Sequence, residues 1–227
     1  MEIVTSEGAA RAGVTWPAGD DQQARDPAFL LVLTHGSGGG PDSADLLAVR
    51  DAALPLGAAV ALVTQPYRVK GRRAPGSPAR QDAAWTEIIG ALRALGGTGL
   101  PLVQGGRSNG ARVACRTARA VGARAVLALA FPLHPPGHPE KSRAGELAQA
   151  GTDILVINGK RDPFGIPDQA PRTRVVVLDG ETHALSRKPA MVGAAAGTWL
   201  AGLPRLTEAA AGAAWGPACG THRGGRP

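Results

Sequence analysis

A chain of 227 residues with 44% hydrophobic residues is long enough to bury one sizeable core. The formal net charge is +7, but its 21 arginines and four lysines are spread along the chain without a helix-turn-helix, zinc or aromatic-basic module, so we expect no nucleic-acid partner. No uninterrupted run of about 18 apolar residues occurs, which predicts no membrane span.

The predicted elements alternate between strands and helices. Residues 1–16 indicate a hairpin of two edge strands. Further strands are predicted near residues 28–34, 59–64, 101–105, 125–131, 153–157 and 174–178, and helices near residues 42–56, 80–96, 109–121, 141–149 and 188–202. This order predicts an α/β fold with a doubly wound, mostly parallel sheet of about eight strands.

The chain is expected to form one domain over residues 1–204. Residues 205–227 are rich in Ala and Gly and lack apolar periodicity, which is typical of a disordered tail. Cys115 falls in a predicted helix as a small core residue, and Cys219 lies in the tail, so no disulfide framework is predicted. Residues 1–7 lack the basic and apolar segments of a secretory signal, and we therefore expect a cytoplasmic protein.

A Gly-x-Ser-x-Gly motif lies between a predicted strand and a predicted helix and reads Gly106-Arg107-Ser108-Asn109-Gly110. This context is typical of a nucleophile elbow, in which a sharp turn exposes the serine hydroxyl above the sheet. The alternative for Ser108 is an ordinary helix N-cap after a glycine turn. Partners in the right order along the chain favour the first interpretation.

Two candidate partners follow the next two predicted strands. Asp162 lies on the loop after residues 153–157, and His183 lies on the loop after residues 174–178. The carboxyl ends of parallel strands meet at one edge of the sheet, where ligands usually bind. The order Ser, Asp, His is that of an α/β-hydrolase triad, with Ser108 as nucleophile, His183 as general base and acid, and Asp162 as the residue that orients the imidazole.

An early strand ends in a glycine loop that reads His35-Gly36-Ser37-Gly38-Gly39-Gly40. Such a loop supplies one backbone donor of an oxyanion hole in this fold, and the residue after the nucleophile supplies the other. We assign these donors to the N–H groups of Ser37 and Asn109, with Gly38 as an alternative to Ser37. The loop lacks the Gly-Lys-Ser/Thr ending of a phosphate-binding P-loop.

A basic run, Arg68-Val69-Lys70-Gly71-Arg72-Arg73, also follows a predicted strand at the carboxyl edge. It is either a solvated loop or a rim that attracts anionic substrates, for which Arg72, Arg73 and Arg107 are the candidate binding residues.

The connection between residues 131 and 154 has room for a loop and one short helix, so no cap domain is expected. Its histidines, His134 and His138, lie four apart in a Pro-rich loop and are not expected to bind metal.

These motifs resemble those of small α/β-hydrolases of the dienelactone-hydrolase-like group, in particular the branch with testis-expressed and NSL-chromatin-complex-subunit hydrolase domains. The resemblance covers residues 1 to about 203. Three of its motifs are already described: the glycine loop from His35, the elbow around Ser108, and His183. The others are Pro66-Tyr67-Arg68 with Gly71-Arg72-Arg73-Ala74-Pro75, Phe131-Pro132-Leu133-His134-Pro135-Pro136-Gly137, and Gly159 with Arg161-Asp162-Pro163-Phe164-Gly165. This branch often has Met-Gly-Gly where this chain has Asn109-Gly110-Ala111. Authentic dienelactone hydrolases use Cys as nucleophile, so their substrate is not carried over to Ser108.

The resemblance implies an α/β-hydrolase fold and a carboxylesterase-like serine hydrolase without a cofactor. The expected partner is a small ester, thioester or related acyl compound, with anionic acyl groups among the candidates. A second function class stays open, namely a hydrolase-like scaffold that binds partners without turnover, because a member of the resembled branch works within a chromatin complex. The intact triad favours the enzyme.

Overall fold

A computed structural model describes residues 1–19, 25–96, 99–204 and 206. Its centre is a sheet of eight strands in the order β1-β2-β4-β3-β5-β6-β7-β8. The strands are Glu2–Thr5 (β1), Gly8–Thr15 (β2), Phe29–Thr34 (β3), Ala58–Thr64 (β4), Leu102–Arg107 (β5), Ala125–Leu129 (β6), Asp153–Gly159 (β7) and Thr173–Leu178 (β8). β3 to β8 are all parallel, so the predicted α/β-hydrolase fold with a mostly parallel sheet is confirmed.

The N-terminal hairpin differs in one respect from the prediction of two edge strands. Among the described strands, β1 pairs with β2 alone and forms an edge, but β2 also pairs antiparallel with β4, where Arg11 lies opposite Thr64. The prediction is therefore wrong for β2, which is an inner strand. Alternating apolar residues such as Ala10 and Ala12 indicate that one face is buried, but they do not indicate whether a second strand pairs along the outer side.

Helices cover both faces of the sheet. They are Ala44–Ala53 (α1), Pro66–Val69 (α2), Pro78–Gly96 (α3), Asn109–Thr117 (α4), Ala144–Gln149 (α5) and Pro189–Ala201 (α6). The predicted helix over residues 42–56 ends as a 3-10 turn at Leu54–Leu56, because Pro55 cannot continue the hydrogen-bond ladder. The short α2 was not predicted. Within the ranges given above, no helix is long and apolar enough to cross a membrane.

Alternation along β3 divides the core between these helices. Leu31 and Leu33 face one side of the sheet and pack in a cluster with residues of α1 and α6. Leu30 and Val32 face the other side and join a cluster with residues of α3, including the fully buried Trp85. α4 and α5 extend that second layer. A strand that is buried on both faces reads as an uninterrupted apolar run, which is why the sequence indicates β3 so clearly.

The connection between β6 and β7 contains α5 and no cap domain, as predicted. Cys115 is fully buried in α4. The predicted tail, with Cys219, lies outside the described residues except for Leu206. That side chain is 2% exposed and packs with the α1 and α6 cluster.

Candidate active site

Ser108 lies at the junction of β5 and α4 in a backbone conformation that L-residues rarely adopt, with φ 53° and ψ −112°. The chain can turn this sharply because the two glycines around it have no Cβ. A Cβ on Gly106 would lie 2.5 Å from the carbonyl oxygen of Thr34, and a Cβ on Gly110 would lie 2.7 Å from the same atom. The strained turn is held by a hydrogen bond from the Ser108 N–H to Leu129.

Two hydrogen bonds link Ser108, His183 and Asp162. The Oγ of Ser108 lies 2.9 Å from Nε2 of His183, and Nδ1 of His183 lies 2.8 Å from Oδ2 of Asp162. Since a carboxylate only accepts, we assign the imidazole proton to Nδ1, which leaves Nε2 as the acceptor for the Ser108 hydroxyl. The three side chains come from loops after β5, β7 and β8, as the order of motifs predicts.

The Asp162 carboxylate is fully buried and accepts two further hydrogen bonds. The N–H of Phe164 donates to Oδ1 at 2.9 Å, and Nδ2 of Asn158 donates to Oδ2 at 3.3 Å. The ring of Phe164 also stacks on the imidazole of His183, with 4.2 Å between the ring centroids. Contacts on both sides therefore restrict the orientation of the imidazole.

Asn158, at the end of β7, is a site residue that the sequence analysis missed. Its side chain is fully buried, accepts from the N–H of Phe131 and donates towards the carbonyl oxygens of Phe131 and Gly165 as well as Asp162. In the sequence, Asn158 precedes Gly159, and an Asn-Gly pair is a typical turn signal. A turn signal predicts an exposed loop, so the sequence gives no indication that Asn158 joins the loop after β6 to the loop that carries Asp162.

The candidate oxyanion donors are Asn109, the residue after the nucleophile, and Ser37 in the glycine loop. A Cβ on Gly36 would lie 3.1 Å from the Cβ of Ser108, so the glycine loop packs directly against the elbow. In the part of the chain that the structure describes, the N–H groups of Ser37 and Asn109 have no hydrogen-bond acceptor. The side chain of Asn109 is held separately by Gln81, at 2.7 Å.

His35 holds the glycine loop in place. It is 1% exposed, and its Nε2 accepts from the N–H of Gln65 while Nδ1 donates to the carbonyl of Gly36. Burial lowers the pKa of His35, so the ring stays neutral and can accept at Nε2. Tyr67 packs edge-on against this ring, and burial raises the pKa of its hydroxyl to about 12.

The candidate anion-binding arginines have two different environments. Arg72 and Arg73 are exposed, and the Nε of Arg73 lies 3.9 Å from the position a Cβ on Gly38 would take. Arg68 anchors the run by donating to the carbonyl of Gly39 at 2.9 Å. The guanidinium of Arg107, by contrast, is directed into the protein, where it contacts Asp45 and the His183 backbone.

Gln104 is a second buried amide that the sequence analysis did not predict. Gln104 in β5 accepts from Nε1 of Trp85 and donates to the carbonyl of Ala114 and to Thr117, so it connects β5, α3 and α4 below the elbow. Apolar periodicity alone assigns β5 as a buried strand and gives no signal for this polar residue.

His134 packs against the loop that carries Asp162, because its N–H donates to the carbonyl oxygen of Phe164 at 2.9 Å and a Cβ on Gly165 would collide with its imidazole. Nδ1 of His134 contacts the carbonyl of Pro135, and Nδ1 of His138 contacts Glu140. Among residues 1–19, 25–96, 99–204 and 206, no group of three or more His, Cys, Asp and Glu side chains is arranged to hold a metal ion.

Solved structures with the same fold come from several bacteria. A serine hydrolase without a lid from Xanthomonas campestris has 18% identity and a TM-score of 0.71, covering 90% of this chain and 94% of its own. Est1E from Butyrivibrio proteoclasticus, with bound ferulic acid, has 15% identity and a TM-score of 0.71, covering 89% and 98%. A dienelactone hydrolase from Anabaena variabilis has 17% identity and a TM-score of 0.69, covering 89% and 96%.

The comparison with curated protein sequences gives no match. The sequence family described as alpha/beta hydrolase domain matches residues 27–188, which run from the start of β3 to the segment that precedes α6 and include the elbow and both loops that contact it. The chain belongs to the alpha/beta hydrolase domain family.

Proposed function

We propose that the chain is a serine hydrolase that cleaves a small ester, thioester or related acyl compound through an acyl-enzyme. The observation that carries the proposal is the hydrogen-bonded series from Ser108 through His183 to Asp162. A carboxylesterase-like activity is the type most consistent with this arrangement. Within the family, the motif residues favour the dienelactone-hydrolase-like group and the branch with testis-expressed and NSL-complex-subunit domains.

In the first half-reaction, the Oγ of Ser108 attacks the carbonyl carbon while its proton passes to Nε2 of His183. Asp162 accepts a hydrogen bond from the Nδ1–H of His183 and stabilises the imidazolium. The carbonyl oxygen becomes an oxyanion, for which the N–H groups of Ser37 and Asn109 are the donors. The tetrahedral intermediate then collapses, and His183 gives its proton to the departing alcohol or thiol.

In the second half-reaction, water attacks the acyl-enzyme. Nε2 of His183 takes a proton from the water, and the same donors bind the second oxyanion. Collapse releases the carboxylic acid and returns the proton to the Oγ of Ser108. Water is the co-substrate, and the scheme uses no cofactor.

Because the connection between β6 and β7 forms no cap domain over the elbow, we expect an open, shallow site that takes small acyl compounds from solvent without a lid motion. The exposed Arg72 and Arg73 beside the glycine loop favour a substrate with a negative charge. Since exposed charges are screened by water and salt, this preference is modest.

The test is labelling by a fluorophosphonate probe together with turnover of a panel of short-chain esters and thioesters. Ser108→Ala should abolish labelling and lower kcat by about 10⁴ or more, because triad members act as a unit. Ser142→Ala, which changes an exposed serine in the loop before α5, is the matched control and should keep both. Full turnover by Ser108→Ala would refute the proposal.

The alternative is a hydrolase-like scaffold that binds a partner without turnover. Binding alone does not require three side chains from three loops to lie at hydrogen-bond distance in this order. An unlabelled wild-type protein without turnover on any ester or thioester would favour the scaffold.

A further inference from the structure

We propose that Asp45 and Arg107 form a positioning pair that holds the backbone of His183 in place for catalysis. This inference rests on the proposed function, since it assigns a role in the same reaction. Neither side chain contacts the Oγ of Ser108, so the pair acts through His183.

Arg107 joins two parts of the site. It is the last residue of β5 and directly precedes Ser108, and its Nη2 donates to the carbonyl oxygen of His183 at 3.0 Å. Its Nε lies 3.2 Å from Oδ2 of Asp45. A Cβ on Gly36 would lie 3.7 Å from Nη1 of Arg107, so the same guanidinium also lies beside the glycine loop.

Asp45 lies in the first turn of α1, and its carboxylate is 1% exposed. The Ser43 hydroxyl and the N–H groups of Leu46 and Asp45 lie near this carboxylate and favour its charged form, and Arg107 is the cation that acts on it. Within the described part of the chain, none of these contacts, including the one from Nε of Arg107, has the alignment of a good hydrogen bond. Burial raises the pKa of Asp45, which means that the charged form is costly to keep in the folded protein. Because the desolvation of a buried carboxylate offsets much of what its ion pair contributes, stability alone is a weak reason for this pair, and we assign it to holding Arg107.

The anchor matters because an arginine side chain is long and has many rotamers. The Arg107 side chain is 20% exposed, so without Asp45 its guanidinium could turn towards solvent. The loop that carries His183 would then lose the donor to its carbonyl oxygen. A misplacement of about 1 Å of a reacting group can cost about 100-fold in rate.

The decisive variant is Asp45→Asn, which keeps the shape of the side chain and removes its charge. We expect kcat to fall about 10-fold to 100-fold with KM within about twofold, because orientation is lost and substrate contacts are kept. The unfolding temperature is measured alongside, because removing one partner of a buried ion pair also destabilises a fold, and kcat is compared well below the unfolding temperature of both proteins. The midpoint of the acidic limb of the kcat/KM profile should move to lower pH, because the positive charge of Arg107 is no longer balanced near His183.

Two further variants complete the experiment. Arg107→Lys keeps the charge, but one ammonium cannot contact both Asp45 and the His183 carbonyl, so its kcat should lie between wild type and Arg107→Gln. Glu146→Gln is the matched control, because it likewise removes the charge of a carboxylate paired with arginines, but in a contact of α5 with Arg112 and Arg116 of α4 rather than with the loop of His183. That control should lower the unfolding temperature and leave kcat within about twofold and the pH midpoint unchanged.

Wild-type kcat in Asp45→Asn, or a lower kcat with an unmoved pH midpoint, would overturn the positioning role. If Asp45→Asn does not fold, equal kcat in Arg107→Lys and Arg107→Gln would overturn it in the same way. Wild type and Ser108→Ala are measured alongside. Turnover by wild type that requires Ser108, with no effect of Asp45→Asn, refutes the positioning pair alone, whereas turnover that does not require Ser108 refutes both proposals.

Discussion

Replacing Asn158 by Asp changes one buried amide into a carboxyl group of the same shape. The Oδ1 acceptor for the N–H of Phe131 is kept. The Nδ2 donor is lost, and its place is taken by an oxygen that faces the carbonyls of Phe131 and Gly165 and the Oδ2 of Asp162 at 3.1, 3.2 and 3.3 Å. The substitution therefore replaces three attractive contacts without creating a cavity.

The distances allow the cost to be worked out. Two carboxylates 3.3 Å apart repel by about 5 kcal/mol at an effective dielectric constant of about 20. Taking up a proton at pH 7 costs a carboxyl group with an ordinary pKa of about 4 roughly 4 kcal/mol, so the new side chain should be protonated in the folded protein. Its one hydroxyl proton then serves one of three acceptors. We expect a loss of about 4–6 kcal/mol at pH 7, which is a large part of the stability of a typical domain.

Urea unfolding at pH 5, 6, 7 and 8 measures this loss. The folded-state pKa of the new carboxyl is raised above its unfolded value, so its proton is bound on folding, and the deficit relative to wild type should grow by about 1.4 kcal/mol per pH unit as the pH rises. Gln169→Glu is the control, since it makes the same chemical change at an exposed amide that contacts Val175. A deficit below about 1 kcal/mol, or one that does not change with pH, would refute the role assigned to Asn158.

Two other predictions concern the loops around the elbow. Burial lowers the pKa of His35 below its ordinary value of 6.5, so as the pH falls the imidazole is protonated in the unfolded chain before it is protonated in the folded one. The wild-type protein should therefore lose stability as the pH falls through 6.5 towards the folded-state pKa. His35→Gln should show a smaller difference in urea midpoint between pH 7.5 and pH 5, and an equal difference would contradict the assignment. Replacing Arg72 and Arg73 together by Ala should lower the kcat/KM ratio of a carboxylate-bearing ester to its neutral isostere about fivefold to tenfold at low salt, with kcat nearly unchanged. An unaltered ratio would show that the two arginines form a solvated face.

Several elements could be predicted because their causes are local. The apolar run of β3 requires burial on both faces, and the glycines around Ser108 allow a turn in which any Cβ would collide with Thr34. The order of strands along the chain also assigns Asp162 and His183 to the same edge of a parallel sheet. Each of these inferences needs only neighbouring residues or the direction of the strands.

The sequence by itself determined the fold class, the elbow and the loops from which the candidate triad comes, because periodicity and turn chemistry act over a few residues. The tertiary structure alone decided the pairing of β2 with β4, the contacts of Asn158, and whether the side chain of Arg107 points to solvent or to Asp45. These depend on which distant side chains the packing of α1 and the loops against the sheet brings within hydrogen-bond distance. The sequence does not show whether a charged or amide side chain forms its hydrogen bonds with water or with other residues. That depends on whether the side chain is buried in the folded chain.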